Sequence, residues 1–234
     1  MSLTVAIHQP NFFPWLGYFT KIAQADVFVF LDQVDYPKSG SSMASYSNRV
    51  KLNICGEAKW WGCPVVREFG PQRICDVRIK DEPWAKKKIQ SLEQSYGKTA
   101  CFRESIDIIR EMIFLDEGLI SAYNISNVRR LSELLGLTCR FVLQSELDPE
   151  GSSSELLADI VKKVGGGIYL SGTGGAMEYQ EEAVFAKAGI ELAFRKYVAI
   201  PYSQNRAQAF MPGLSVLDAV MNLGWAETGR LLAG

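Results

Sequence analysis

The sequence predicts an α/β fold with a mainly parallel sheet, helices on both faces and a helical insert. Three features of the 234-residue chain support this. Near the N-terminus an apolar strand, a proline-containing loop, a helix and a second apolar strand follow one another. Residues 84–137 look helical almost throughout, and a second strand-to-loop junction, rich in glycine, follows at residues 168–176. A strand, a helical crossover and a second strand form a βαβ unit, which indicates a parallel pair.

The first βαβ unit covers residues 3–31. Residues 3–7 are short, apolar and β-branched, which is typical of a buried strand, and the strand breaks at Gln9 and Pro10. Apolar side chains recur at helical spacing over residues 15–24, and Asp26 then opens a second apolar strand at residues 27–31. Because ligands of such sheets bind outside the carboxyl ends of the strands, the loops after these two strands are candidate sites.

The middle of the chain predicts a hairpin or an edge addition to the sheet, followed by the helical insert. Residues 48–54 alternate polar and apolar side chains, residues 59–66 are a second strand candidate, and Gly56 supplies the turn between them. Residues 84–137 carry apolar stripes at helical spacing. We interpret them as an insert within a single domain that covers residues 1–234.

The last third of the chain predicts the remaining strands and helices. A strand at residues 138–143 precedes a helix that opens at the serines of 152–154 and ends in the glycines of 165–167. A short strand at residues 168–170 runs into a glycine-rich loop, a helix follows from Met177, and an apolar helix covers residues 214–223. The strand ends near Gln9 and Gly172 are expected to meet at one end of the sheet.

Composition excludes several classes of function. The chain has 25 Lys and Arg against 26 Asp and Glu, so no net positive field attracts a nucleic-acid backbone. The densest basic run, residues 86–88, predicts a solvated helix face. No apolar segment approaches the roughly 20 residues of a membrane span, and no signal peptide is visible, so we expect a cytoplasmic protein without a membrane partner. Five cysteines without a Cys-x-x-Cys pair and a single histidine argue against a zinc site.

Two residues after the first strands are candidates for catalysis. His8 stands where the first strand enters its loop, and imidazole can act as a base, an acid or a neutral donor. Its alternative role is a hydrogen bond at a strand end. Asp32 follows the second strand at the same sheet edge, where a carboxylate can accept a proton, bind an amine or hold Mg²⁺. A turn explains Asp32 equally well, and it explains the nearby Asp35 better than a functional role does.

Other polar groups are candidates for binding. Arg49 and Lys51 share a face if the strand alternates strictly, so both can reach one phosphate or carboxylate, although an exposed strand face explains them as well. The loop at Ser171 and Gly172 can present backbone amides to an anion, but it matches neither a Walker A nor a Rossmann sequence. Asp218 in an apolar helix needs a partner if it is buried, so a structural hydrogen bond is its alternative role.

Several ordered blocks resemble the WbqC-like family over essentially the whole chain. The most specific block is His8-Gln9-Pro10-Asn11-Phe12-Phe13-Pro14-Trp15-Leu16-Gly17-Tyr18-Phe19. The others are Leu31-Asp32-Gln33-Val34-Asp35-Tyr36, Asn48-Arg49-Val50-Lys51, Tyr169-Leu170-Ser171-Gly172, Phe210-Met211-Pro212-Gly213-Leu214-Ser215-Val216-Leu217-Asp218 and Asn222-Leu223-Gly224. Two positions depart from the family's pattern: Asp35 stands where Gln is usual, and the His often found near Lys88 is missing.

The resemblance implies a transferase in the biosynthesis of O-antigen lipopolysaccharide and other surface polysaccharides. It would attach an amino acid, glycine in particular, to the amino group of a nucleotide-linked amino sugar. An activated amino acid, either an adenylate or an aminoacyl-tRNA, would be the donor. Acyl transfer to an amine needs a base, and His8 or Asp32 is the expected one. The expected substrate-binding residues are Gln9, Asn11, Tyr18, Asn48, Arg49, Lys51, Ser171, Gly172, Gln204 and Asp218.

The opening βαβ unit is also similar, more distantly, to the start of HIGH-motif nucleotidylyltransferases. At the position of their His-x-Gly-His tetrapeptide this chain has Trp15-Leu16-Gly17-Tyr18, so both histidines are replaced. This similarity implies an alternative function, ATP-dependent nucleotidyl transfer or activation, with ATP and Mg²⁺ as cofactors. A second alternative is a non-catalytic protein that binds a nucleotide sugar.

Overall fold

A computed structural model describes residues 2–36, 46–172 and 181–232. Its strands are β1 (Leu3–His8), β2 (Val27–Phe30), β3 (Arg49–Ile54), β4 (Glu57–Gly62), β5 (Arg140–Leu143), β6 (Gly166–Gly172) and β7 (Glu191–Arg195). Its helices are α1 (Leu16–Ala23), α2 (Trp84–Tyr96), α3 (Phe102–Ile113), α4 (Ile120–Leu134), α5 (Ser153–Lys163), α6 (Glu182–Lys187), α7 (Val216–Leu223) and α8 (Trp225–Arg230).

The main sheet has five parallel strands in the order β5-β2-β1-β6-β7, which confirms the predicted fold class. The chain lays down β1, β2 and β5 in one direction and then returns to the other side of β1 for β6 and β7. The strand order therefore reverses between β1 and β6. At such a switch point the loops after the two strands diverge and leave a crevice at their carboxyl ends. The predicted meeting of the strand ends is confirmed, since Ala6 lies opposite Leu170.

Helices cover both faces of this sheet, as the alternation of strand side chains requires. On one face α1 packs Phe19 and Ile22 into a cluster that includes Phe28 of β2. On the other face α5 and α6 pack Ile160 and Phe185 into a second cluster. Successive residues of β1 and β2 alternate between the two clusters, so the sheet is buried on both sides.

Residues 48–62 form a separate antiparallel hairpin, β3 and β4, rather than an addition to the main sheet. Cys55 and Gly56 form its two-residue turn, and both have positive φ angles, 56° and 98°. This is the geometry of a type I′ turn, whose twist matches that of the flanking strands. The second strand ends at Gly62, earlier than predicted, because Pro64 has no N–H group with which to continue the ladder.

The predicted helical insert contains α2, α3 and α4. The segment does not pack apart from the sheet: Ile109 of α3 and Leu131 of α4 belong to the same cluster as Phe28 of β2 and Leu217 of α7. In the described part of the chain, no helix has the length and apolar character needed to cross a bilayer.

Three predicted element boundaries change in the structure. Gly165 alone ends α5, with a φ of 78°, while the two glycines after it belong to β6. The helix predicted from residue 214 begins at Val216, because Ser215 caps it by accepting a hydrogen bond from the Leu217 amide. The start of the helix predicted from Met177 and the glycines at 174–175 lie outside the described residues.

Candidate functional site

The structure divides the predicted site residues among three places. The carboxyl edge of the sheet holds His8, Gln9, Asn11, Tyr18, Asp32, Ser171 and Gly172. The hairpin presents Asn48, Arg49 and Lys51. A buried network contains Gln204 and Asp218.

His8 ends β1 and holds a fixed, neutral tautomer. Its Nδ1 donates to the Gln9 carbonyl at 3.1 Å, which leaves the lone pair on Nε2. The hydroxyl of Tyr18 donates to the same carbonyl at 3.0 Å, and the Tyr18 ring lies edge-on to the imidazole at 4.8 Å. Burial and, to a smaller extent, the charge of Lys21 lower the pKa of His8 to about 3, although the bond to Gln9 opposes the shift. The imidazole is therefore neutral at pH 7, and with this pKa it is a weak base.

Asp32 is 5% exposed and connects the loops that follow β2 and β5. Its Oδ1 accepts from the Ser145 amide at 3.0 Å and its Oδ2 from the Ser145 hydroxyl at 2.6 Å. Both oxygens are engaged, and no group of three potential metal ligands occurs within the ranges that the structure describes. These residues do not fit the suggested Mg²⁺ site, and we derive no step through that ion.

Lys21 lies at the same edge and was missed by the sequence analysis. Lys21 is on α1, and its Nζ donates a 3.0 Å hydrogen bond to the Ile7 carbonyl. Burial lowers the pKa of Lys21 to about 8. The ammonium forms no ion pair with any carboxylate of residues 2–36, 46–172 or 181–232. A signal was present, because Lys21 is three residues after the buried Tyr18 and therefore shares its helix face.

A cavity of about 480 Å³ lies between the hairpin and the start of α2. We call it the basic pocket and define it by six of its lining residues, Asn48, Arg49, Trp60, Trp84, Lys87 and Lys88. The sequence analysis predicted a solvated face for residues 86–88, and this is wrong for Lys88, which is half-buried with its Nζ 5.9 Å from the Trp61 ring centre. Burial lowers the pKa of Lys88.

Alternation along β3 builds one wall of the basic pocket. Arg49 and Lys51 are exposed on one face of the strand while Val50 between them is buried. Both cations lie over the Trp60 ring, at 4.8 Å for the Arg49 guanidinium and 5.5 Å for the Lys51 ammonium. Asn48 is held by accepting from the Tyr36 hydroxyl at 2.8 Å and donating to the Cys63 carbonyl at 3.0 Å.

A row of aromatic rings connects the sheet edge to the basic pocket. The ring centres of His8 and Trp15 are 6.0 Å apart, those of Trp15 and Tyr46 are 5.2 Å apart, and those of Tyr46 and Trp60 are 5.7 Å apart. The loop that carries Trp15 is fixed by Asn124, whose Nδ2 donates to the carbonyls of Pro10 and Ser47. The loop's Asn11 is buried.

Asp218 is fully buried, and its predicted need for a partner is confirmed. It accepts from the Tyr96 and Tyr202 hydroxyls at 2.7 Å each and from Nε2 of Gln204 at 3.1 Å. Burial raises the pKa of Asp218, and these hydrogen bonds offset part of the shift. Gln204 also pairs with both backbone groups of Met211. Structural roles account for Asp218 and Gln204, while their roles in substrate binding stay predictions.

The fold and this site together define a doubly wound α/β protein with a basic, aromatic pocket beside a sheet edge. The sequence model of the WbqC-like protein family matches residues 9–229, so the chain belongs to this family. The uncharacterized protein Rv1507c of Mycobacterium tuberculosis is 29% identical over 223 residues, which cover 94% of each chain. No solved structure matches the chain. Family membership suggests a role in polysaccharide biosynthesis.

Proposed function

We propose that the protein is a transferase of surface-polysaccharide biosynthesis that binds a nucleotide-linked amino sugar in the basic pocket. It transfers an amino acid, glycine in particular, from an activated donor to the amino group of the sugar. The observation that carries this proposal is the combination of cations and aromatic side chains around one cavity.

The cations of the pocket suit a diphosphate. Arg49, Lys87 and Lys88 line it from two different elements, so a phosphate group between them is approached from both sides. The guanidinium of Arg49 offers paired donors that match phosphate oxygens, and its stacking on Trp60 holds it in one orientation. A phosphate in the pocket would also offset the cost of the half-buried charge on Lys88.

The aromatic rings and the size of the pocket suit the rest of a nucleotide sugar. Trp60, which is 42% exposed, and the partly buried Trp84 line the pocket with aromatic side chains that a nucleobase can contact. The cavity of about 480 Å³ lies within the range of roughly 300 to 1,000 Å³ that is usual for small-molecule sites.

The transfer forms a bond between the sugar's amino nitrogen and the acyl carbon, breaks the acyl bond to the donor's leaving group and releases the amine proton. Neutral His8 is a weak acceptor of that proton, and both oxygens of Asp32 are engaged. Glu82, an exposed carboxylic acid residue, is among the residues that line the pocket. We therefore assign the proton to Glu82, while His8 serves as a hydrogen-bond partner at the sheet edge.

Calorimetric titration with UDP-N-acetylglucosamine tests the pocket. The double variant Lys87→Ala, Lys88→Ala is expected to weaken binding at least about tenfold, since each charge-assisted hydrogen bond contributes roughly 1.5 to 3 kcal/mol. Lys86→Ala is the matched control, because Lys86 is exposed on the same helix and does not line the pocket. Equal losses in both variants, or no binding by the unaltered protein, would contradict the proposal.

Mass spectrometry tests the reaction. The protein is incubated with a UDP-linked sugar that carries a free amino group and with glycyl-adenylate or glycyl-tRNA as the donor. A glycyl mass gain on the sugar is the expected result. Pyrophosphate release from ATP without that gain would favour the nucleotidyl-transfer alternative, and tight binding without turnover would favour a binding protein.

A further inference from the structure

We propose that the ammonium of Lys21 is a binding site for an oxyanion at the switch point between β1 and β6, separate from the basic pocket. Its ligand is a phosphate or carboxylate group. The site follows from the geometry alone, while its assignment to the activated amino-acid donor rests on the proposed function.

The backbone of β1 locates this ammonium. The carbonyl of His8 accepts from the Leu31 amide, on the β2 side of the strand. Successive carbonyls of a strand point in opposite directions, so the carbonyl of Ile7 points toward β6. The Nζ of Lys21 lies 3.0 Å from that carbonyl and is therefore at the carboxyl ends of β1 and β6, where ligands of doubly wound sheets bind.

The described residues provide no counter-charge at this position. A lysine ammonium has three donors, and among the described residues Lys21 uses one of them, in its hydrogen bond to the carbonyl of Ile7. No carboxylate in the described ranges pairs with it, and Asp32 follows β2, on the other side of β1. A partly buried cation without a counter-charge is costly, which agrees with the lowered pKa of Lys21. A bound oxyanion would remove this cost.

At the neighbouring strand end, the described residues do not crowd Gly172. The paired register of β1 and β6 ends at Ala6 and Leu170; continued by two residues, it would place His8 beside Gly172. A Cβ atom added to Gly172 would have no heavy atom of the described residues within 4 Å. The ring of His8, which is neutral at pH 7, adds no competing positive charge.

The two anion sites would lie at opposite ends of one row of rings. The row passes from His8 through Trp15 and Tyr46 to Trp60 of the basic pocket. A nucleotide sugar at the Trp60 end and a donor at the His8 end would place two substrates along the same surface. This arrangement assigns the Lys21 site to the donor.

Lysine NMR tests the site directly in the unaltered protein. With ¹³C-labelled lysine incorporated, the Cε signal of Lys21 is expected to titrate near pH 8, and inorganic phosphate should raise its titration midpoint by at least about half a pH unit, since an opposite charge favours the charged form. A parallel titration with acetate distinguishes a carboxylate ligand from a phosphate ligand. No shift with either anion would overturn the proposal.

Variants separate this site from the basic pocket. In the Lys87→Ala, Lys88→Ala background, which lacks the lysines of the basic pocket, Lys21→Met removes the charge and keeps the apolar stem. It should weaken phosphate binding at least tenfold, whereas Lys21→Arg should retain binding. Lys187→Met removes an exposed lysine of α6 and is the control for the loss of one positive charge elsewhere on the protein. The Lys87→Ala, Lys88→Ala protein should keep the phosphate response of Lys21 even if it loses the nucleotide sugar. Unchanged phosphate binding by Lys21→Met would disprove the site and leave the proposed function standing.

Discussion

The hydroxyl of Tyr96 donates a 2.7 Å hydrogen bond to the buried carboxylate of Asp218, 122 residues away in the sequence. The same hydroxyl accepts from the Asn53 amide at 3.0 Å. This single oxygen therefore joins the last residue of α2 to the β3 strand and to α7. The hydroxyl of Tyr202 completes the network from the C-terminal segment. A buried carboxylate without donors would be costly, so the network stabilises the contact of all three segments.

Tyr96→Phe is expected to lower the free energy of unfolding by about 1.5 to 3 kcal/mol. The substitution removes a donor to a buried carboxylate and leaves the backbone N–H of Asn53 without its acceptor. Urea denaturation followed by circular dichroism measures the change. Tyr202→Phe, which removes a donor from Asp218 alone, should cost less. A loss below about 0.5 kcal/mol for Tyr96→Phe, the range of ordinary surface substitutions, would contradict this role.

The pKa of His8 predicts a loss of stability in acid. The folded protein binds the imidazole proton only near pH 3, whereas an ordinary histidine binds it near pH 6.5. Between these pH values the unfolded chain binds more protons than the folded protein does. His8 therefore does not reduce the free energy of unfolding above pH 6.5, and it reduces that free energy progressively as the pH is lowered toward 3. The expected slope is at most about 1.4 kcal/mol per pH unit.

Two measurements check this prediction. The ring signals of the one histidine should stay at their neutral positions at pH 5, with the proton on Nδ1. Urea unfolding should show a steeper loss between pH 6.5 and 5 for the unaltered protein than for His8→Gln. A ring that titrates near pH 6.5 in the folded protein would refute the shift.

Asn124→Ala is expected to destabilise the protein by about 2 to 5 kcal/mol, because it removes donors from two buried backbone carbonyls. These carbonyls belong to Pro10 and Ser47, so the loop after β1 and the start of the hairpin lose their shared anchor. Thermal denaturation measures the loss. Asn205→Ala serves as the comparison. The Nδ2 of Asn205 donates to a single backbone carbonyl, that of Ser95. Equal costs for the two variants would argue against the double anchor.

Cys55→Asn is expected to stabilise the hairpin by about 0.5 to 1 kcal/mol, because Asn before Gly is favoured in a type I′ turn. Cys55 is exposed and has a φ of 56°, a value that Asn adopts more readily than Cys. The midpoint of urea unfolding measures the gain. Cys55→Val, with a β-branched side chain at the same positive φ, should destabilise instead. A loss of stability on Cys55→Asn would contradict the turn assignment.

Local patterns in the sequence predicted much of the fold. The strand–loop–helix–strand opening became β1, α1 and β2, because a buried apolar strand and an amphipathic helix are defined by neighbouring residues. Alternation along residues 48–54 placed Arg49 and Lys51 on one face for the same reason. The meeting of the strand ends near Gln9 and Gly172 was also predicted, since parallel strands end at a shared edge, whereas the direct pairing of β1 with β6 was not.

Local patterns did not reveal which charged residues line the basic pocket. Lys88 looked like part of a solvated face, because its burial depends on the packing of α2 against a hairpin. Lys21 looked like an ordinary helix lysine, because its contact with Ile7 depends on where α1 crosses β1. Asp218 was recognised as needing a partner, but Tyr96 was not identifiable from a separation of 122 residues.

The sequence by itself determined the fold class, the order of most elements and the family, since these follow from the spacing of apolar residues and from ordered motifs. Only the tertiary structure determines that His8 is neutral and that Lys21 has no counter-charge among the described residues. It also decided that two lysines of α2 face a cavity. The reason is physical: desolvation and charge pairing depend on distances between segments that only packing brings together.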